Sequence, residues 1–378
     1  MNKTLIWVIV IVIVIVGGYY LFFQGAPAGE GEVIKIGFIG PLTGEAASYG
    51  EPLRNTIALA VEEVNAAGGI NGQLLEIIYE DAKCTGKDAA NAAQKLVNVD
   101  KVKVIIGGFC SSESLAAEPI ATGAKVLLFS AGSSSPDLTG KSQFFVRNYP
   151  SDASQGAVLA ELANKRGWKK VAFLVESKDY PQGIYKAFKT TFDGFGGVII
   201  KEEFPPEASD FKTQLAKLKV EKPDALFLSV QTPAPAERIF KQLGELNWKP
   251  PLLVADVIVG DPKIVETHKA ILEGAIGAEF GIDPGNEKFQ HLIQTYKEKY
   301  GADTPYQAYA QTEYDAVFMI GDGIKAVGYD GEKLAKWLRE IADWRGASGI
   351  VDIKDDGDRA GGHIPKIVKN GKVEIYQQ

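Results

Sequence analysis

Cysteine and histidine are scarce in this sequence, two and three residues respectively in a chain of 378. His268, His291 and His363 are scattered, two of them in polar helical surroundings that suit a solvated face. Neither Cys84 nor Cys110 falls in a metal-ligand spacing. Also missing are a G-x-S-x-G elbow, an H-E-x-x-H pair and a P-loop, and no G-x-G-x-x-G follows the first expected strand. These gaps argue against hydrolytic, metal-dependent and nucleotide-dependent catalysis, so no catalytic residue, metal or cofactor is expected. Asp355-Asp356-Gly357-Asp358 has the composition of a Ca²⁺ loop but lacks the later Glu, and reads as a turn between strands. With a net charge of −7 and no long Lys/Arg block, a nucleic-acid surface is excluded. Nothing marks a dedicated assembly surface, and the expectation is a monomer.

Apolar sequence, by contrast, is concentrated at the N-terminus. Lys3 precedes an uncharged run from Leu5 to Phe23. As a helix this run spans about 28 Å at about 1.5 Å per residue, close to the hydrocarbon thickness of a bilayer. The lone Lys before it places the N-terminus in the cytoplasm and the rest of the chain outside. Two readings stay open. One is an uncleaved anchor with Tyr19 and Tyr20 near the outer interface. The other is a signal peptide cut near Ala26-Pro27-Ala28 that leaves a periplasmic or secreted protein. The length favours the anchor, and no cysteine lies nearby to carry a lipid. Gln24 to Glu32 reads as a flexible linker, which sets residues 1–32 apart from the folded chain.

From Val33 onward, 346 residues remain for folded structure, more than one ordinary core holds. Short apolar runs alternate with helical spacing. Ile34–Ile39 is nearly all apolar, as a strand buried on both faces must be. Helices are expected from Pro52, Lys87, Ser114, Gln155 and Gln182, and Gly68-Gly69 stops the first. Strands Leu74–Tyr79, Val102–Ile106 and Val126–Phe129 alternate with those helices, and Lys170–Val175 starts a second series. The pattern predicts an α/β fold of two doubly wound parallel-sheet lobes joined by a multi-strand hinge. The expected division is residues 33–149 in lobe 1, 150–278 in lobe 2, 279–350 back in lobe 1, and 351–378 as hinge and closing strands of lobe 2. Cys84 and Cys110 each follow a strand, and an even count in an exported chain favours a disulfide.

Strand ends are the places to look for a ligand in such sheets. Phe129 to Thr139, FSAGSSSPDLT, turns from apolar to small and polar. Gly132, Ser133 and Ser134 there offer close backbone approach and N–H groups suited to an anion, although a Ser-rich turn before Pro136 accounts for the local pattern as well. Other strand ends carry Tyr49, Ser111, Tyr180, Gln231 and Asp256. Together they supply neutral donors for a carboxylate, one acid for an ammonium and aromatic walls, the chemistry a zwitterion needs. Tyr306, Tyr309 and Tyr314 have spacings that suit helix packing.

The segments IKIGFIGPLTGEAASYG, VNAAGGINGQ, GGFCSSESLAAEPIA and SAGSSSPDLT, with the pair Cys84 and Cys110, form an ordered set. On these the chain resembles the branched-chain amino acid (Leu/Ile/Val) binding proteins, type I periplasmic binding proteins of ABC transporters. The resemblance is looser beyond Tyr180. It implies capture of an amino acid between the lobes and delivery to a membrane permease. It further implies that Ser111, Ser133 and Ser134 meet the ligand carboxylate, that the Gly132 and Ser133 backbone approaches the ligand, that Tyr49 and Tyr180 flank its side chain, and that Asp256 meets its ammonium. Gln231 stands where those proteins often carry an aromatic residue, which admits a more polar ligand such as an amide or urea. A ligand-sensing receptor is the other expectation, although only four residues precede Leu5.

Overall fold

The computed structural model describes residues 33–377; the Leu5 to Phe23 run and its linker lie outside them. Among the described residues no helix is long and apolar enough to cross a membrane.

The first sheet has five parallel strands in the order β2-β1-β3-β4-β5. They are β1 (Ile34–Gly40), β2 (Leu75–Asp81), β3 (Val104–Gly107), β4 (Leu127–Ser130) and β5 (Phe145–Arg147). Successive side chains of a strand point to opposite faces, and here both faces are covered. Ile34, Ile36 and Phe38 of β1, Val104 and Ile106 of β3, and Leu127 and Phe129 of β4 enter one core. Ile39, Ile105 and Leu128 enter another on the far face. That two-sided burial is why these strands read as apolar runs. Helices α1 (Ala47–Ala66), α2 (Gly86–Asn98) and α3 (Ser111–Gly123) connect them.

The second sheet has seven strands in the order β14-β13-β10-β9-β8-β6-β7. Its parallel part comprises β6 (Lys170–Glu176), β7 (Val198–Phe204), β8 (Ala225–Ser229), β9 (Leu252–Val254) and β10 (Ile276–Phe280). It repeats the strand order of the first sheet. The helices of this lobe include α4 (Asp152–Lys165), α5 (Asp179–Gly194), α6 (Lys212–Val220), α7 (Pro233–Glu245) and the single turn α8 (Asp256–Val259). Strands β13 (His363–Lys369) and β14 (Lys372–Ile375) add antiparallel pairs at one edge. The second sheet is therefore mixed rather than wholly parallel. The hairpin turn Asn370-Gly371, with both residues at positive φ, makes this reversal possible.

After β10 the chain returns to the first core, which takes Phe289 and Leu292 of α11 (Glu287–Tyr300) and Val317 and Ile320 of α12 (Gln307–Val327). Between α8 and α11 lie two short helices, α9 (Pro262–Thr267) and α10 (Lys269–Leu272). Then come α13 (Gly331–Arg339) and the antiparallel pair β11 (Trp344–Gly346) and β12 (Gly349–Val351), after which β13 re-enters the second sheet. The chain thus passes between the two cores three times, at 148–151, 281–286 and 352–362.

A buried ion pair pins these crossings together. Arg147, at the end of β5, donates from Nε to Asp358 Oδ1 at 2.7 Å and from Nη2 to Oδ2 at 2.9 Å. The DDGD run is thus a turn whose last Asp faces inward, and no cluster able to hold a metal ion occurs among the described residues. Arg359 bridges a second crossing: it donates to the carbonyls of Asn148 and Ser348 at 3.1 and 2.7 Å, and its guanidinium lies 4.6 Å from the centre of the Phe280 ring.

Candidate ligand-binding site

In each sheet the strand order reverses beside the first strand of the series, where a crevice opens outside the carboxyl ends. In the first sheet this point lies between β1 and β3, in the second between β6 and β8. The two crevices face each other. Between them is a narrow space of about 10 Å³, lined by Tyr49, Phe109, Cys110, Ser111, Gly132, Ser134, Tyr180, Gln231, Val257 and Tyr309. That is room for about one water molecule. Six of the eight residues singled out in the sequence line it.

Lobe 1 contributes through helix starts and one turn. Cys110 caps α3, and the Glu113 carboxylate accepts from the N–H groups of Phe109 and Cys110 at 3.0 Å each and from Cys84 N–H at 2.8 Å. Burial raises the Glu113 pKa to about 7 against the lowering effect of these bonds. Cys84 and Cys110 are disulfide-bonded. Ser111 Oγ accepts from Ser135 N–H at 3.1 Å and keeps its own proton to donate. A Cβ on Gly132 would lie 2.4 Å from the Phe109 ring, so only glycine allows this approach.

The other two predicted lobe 1 residues are held differently. Ser133 does not line the space: its hydroxyl is within 2.8 Å of Gly108 O, 3.2 Å of Phe109 O and 2.7 Å of Ser114 Oγ, bonds that fasten the turn. Ser134 does line it, but its hydroxyl donates to Asp152 Oδ2 at 2.7 Å. The Ser133 and Ser135 carbonyls accept from Arg147 Nη1 at 3.2 and 2.9 Å. A guanidinium beneath the turn therefore sets its shape.

Asp256 is buried one residue from the lining, at the start of α8. Its Oδ2 accepts from the hydroxyls of Tyr149 at 3.0 Å and Tyr309 at 2.8 Å, and its Oδ1 from Tyr180. Burial first and the Asp256 charge second hold all three phenols well above their usual pKa, so they remain donors. Tyr309, whose spacing suited helix packing, belongs to this cage instead. Tyr149 and Asp152 were not found in the sequence. Asp152 Oδ1 lies 3.8 Å from His363 Nε2, and burial pushes the Asp152 carboxyl up and the His363 imidazole down to about 4. A polar loop after a short strand was the only available signal for Tyr149 and Asp152.

The periplasmic binding protein family matches residues 33–364. This chain belongs to that family. It is 31% identical over 316 residues to the leucine-, isoleucine-, valine-, threonine- and alanine-binding protein of Pseudomonas aeruginosa, covering 82% of each chain. It superposes on the leucine binding protein LivK of Thermotoga maritima with a TM-score of 0.83 at 30% identity, over 91% of this chain and 98% of the other. The branched-chain amino acid transporter substrate binding protein LivJ of Streptococcus pneumoniae, in complex with isoleucine, gives 0.80 at 27% identity over 91% and 98%. The family consists of solute-binding proteins rather than enzymes, and its location is extracytoplasmic.

Proposed function

We propose that the chain captures an α-amino acid, branched-chain or of similar size, between its lobes and hands it to the permease of an ABC transporter. The observation that carries this reading is the opposition of Ser111, Gly132 and Ser134 to Tyr180 and Gln231 across one narrow space, with the buried Asp256 held behind it by the hydroxyls of Tyr180 and Tyr309. Ser111 Oγ–H and the Ser134 main-chain N–H are the donors we assign to the ligand carboxylate, since the Gly132 and Ser133 N–H groups already donate to Ser130 Oγ at 3.4 and 2.9 Å. Asp256 is the acid we assign to its ammonium, which brings three donors of its own and competes with the tyrosine hydroxyls now on that carboxylate. Tyr49 and Tyr180 flank the side chain, and Gln231 meets its far end. Entry requires the lobes to part, because about 10 Å³ admits no amino acid. Contacts from both lobes then favour the closed state, and the lobes are taken as 33–149 with 279–350 and 150–278 with 351–378. The run Leu5 to Phe23 tethers the protein outside the cell, or is removed with the linker. The protein works as a monomer.

Titration calorimetry on the full chain in detergent, with a panel of α-amino acids, amides and urea, tests this. Binding of an α-amino acid that weakens at least about 100-fold in Asp256→Ala, as loss of a buried charged partner does, is expected. Tight binding of urea or a simple amide, indifferent to that change, would reject the amino acid assignment.

A further inference from the structure

Resting on the reading of this cleft as an amino acid site, we propose that the side chain it selects is polar and uncharged, carrying a hydroxyl or a carboxamide. Two buried atoms on the lining carry the argument. Gln231 is 6% exposed and its N–H donates to Glu176 Oε2 at 2.8 Å, which fixes the residue at the end of β8. Its side-chain Nε2 reaches only the Cys110 sulfur, at 3.8 Å, and its Oε1 makes no hydrogen bond among the described residues. Tyr49 is 2% exposed, and its hydroxyl is likewise without a partner there. The Tyr49 ring cannot swing to find one. It is packed against Phe109, Tyr306 and Tyr309, with ring centres at 5.2, 4.4 and 6.2 Å.

Buried polar atoms in folded proteins almost always have a partner. Two that lack one, on residues lining the same space, point to a ligand that supplies it. An aliphatic side chain would seal both atoms from water and satisfy neither. A hydroxyl or a carboxamide provides a donor and an acceptor, and a half-turn of the Gln231 amide lets it offer either. A charged side chain does not fit, because none of the lining residues carries a charge and Asp256 behind them is assigned to the ligand ammonium. Phe109 and Val257 remain to pack the carbon skeleton. A larger cavity of about 320 Å³ beside Trp344 makes a contrast. Three of its four acids are already engaged, Glu63 by His291 and Tyr314, Asp322 by Trp344, and Asp315 by Ser348.

Near-isosteric pairs decide the matter without any substitution. Calorimetry on the full chain in detergent should show L-threonine binding at least about 100-fold tighter than L-valine, or L-asparagine tighter than L-leucine by the same margin, since sites built to hydrogen-bond a group reject analogues that lack it. The double variant Gln231→Leu with Tyr49→Phe should cut that preference tenfold or more. Valine and leucine binding as tightly as their polar counterparts would overturn the proposal and leave the amino acid reading standing. So would tighter binding of L-lysine or L-glutamate. Silence toward every amino acid would overturn both.

Discussion

Asp358→Asn should be among the most costly single substitutions in the protein. Arg147 and Asp358 are joined by two hydrogen bonds of 2.7 and 2.9 Å, with their side chains 0% and 2% exposed. The guanidinium also donates to the Ser133 and Ser135 carbonyls and, at 3.0 Å, to Thr139 Oγ1. Removing one member of a buried pair leaves the other charge uncompensated and costs about 3–5 kcal/mol. Asparagine retains one acceptor, so Asp358→Asn should fall near about 3 kcal/mol. Arg147→Met should fall near about 5, because two carbonyls also lose their donor. Removing both charges together, in Arg147→Met with Asp358→Leu, should cost less than Arg147→Met alone by about 2 kcal/mol. Urea unfolding followed by tryptophan fluorescence gives these differences. Hydrogen exchange at residues 133–135 shows whether this turn loosens before the lobe unfolds. A loss below about 1 kcal/mol in Asp358→Asn, or a double variant no better than Arg147→Met, would refute the assignment of this pair as the clamp on the turn.

Two further outcomes follow from buried groups away from the cleft. Burial alone raises the Glu313 carboxyl from about 4.5 to about 8, so the folded chain holds a proton that the unfolded chain has released. Its contribution to stability is therefore fully present below about pH 4.5 and lost as pH rises through about 8. Glu313→Gln should gain on the parent protein by on the order of 1 kcal/mol per pH unit across that window, and stability curves that stay parallel from pH 5 to 8 would contradict this. The Cys84–Cys110 bond closes a loop with a sequence separation of 26. Its removal in a Cys84→Ser/Cys110→Ser variant should cost about 3–4 kcal/mol in the chain-entropy picture, checked by urea unfolding of the two proteins side by side; unchanged stability would exclude that mechanism.

Much of the architecture follows from local sequence. Ile34–Ile39 has to be buried on both faces because nearly all of its side chains are apolar, and strands of that kind need helices on both sides of their sheet. Gly68 and Gly69 end α1 at positive φ, where other residues are strained. The Ser and Gly residues that line the cleft from lobe 1 were legible because a strand that ends in Gly and Ser has few structural uses other than a turn or a site.

The helix starts show where that legibility stops. Apolar spacing placed them at Pro52, Ser114, Gln155 and Gln182, whereas α1, α3, α4 and α5 begin at Ala47, Ser111, Asp152 and Asp179. The missing first turns hold Tyr49, Ser111, Asp152 and Tyr180. They lie at the cleft end of each lobe, where serine, aspartate and tyrosine stand in place of aliphatic residues, so they add no apolar periodicity to be counted. Partners far apart in sequence were beyond reach for a different reason. Arg147 and Asp358 are separated by 211 residues, and Tyr149 and Asp256 by 107. Nothing local to Tyr309 distinguishes a core tyrosine from one that donates to a buried carboxylate. The sequence by itself determined which segments become strands, which helices cover them and which strand ends are polar. Only the tertiary structure decided which of those polar groups satisfy one another across the hinge and which, like Gln231 Oε1 and the Tyr49 hydroxyl, have no partner among the described residues, because that depends on closing the two lobes against each other.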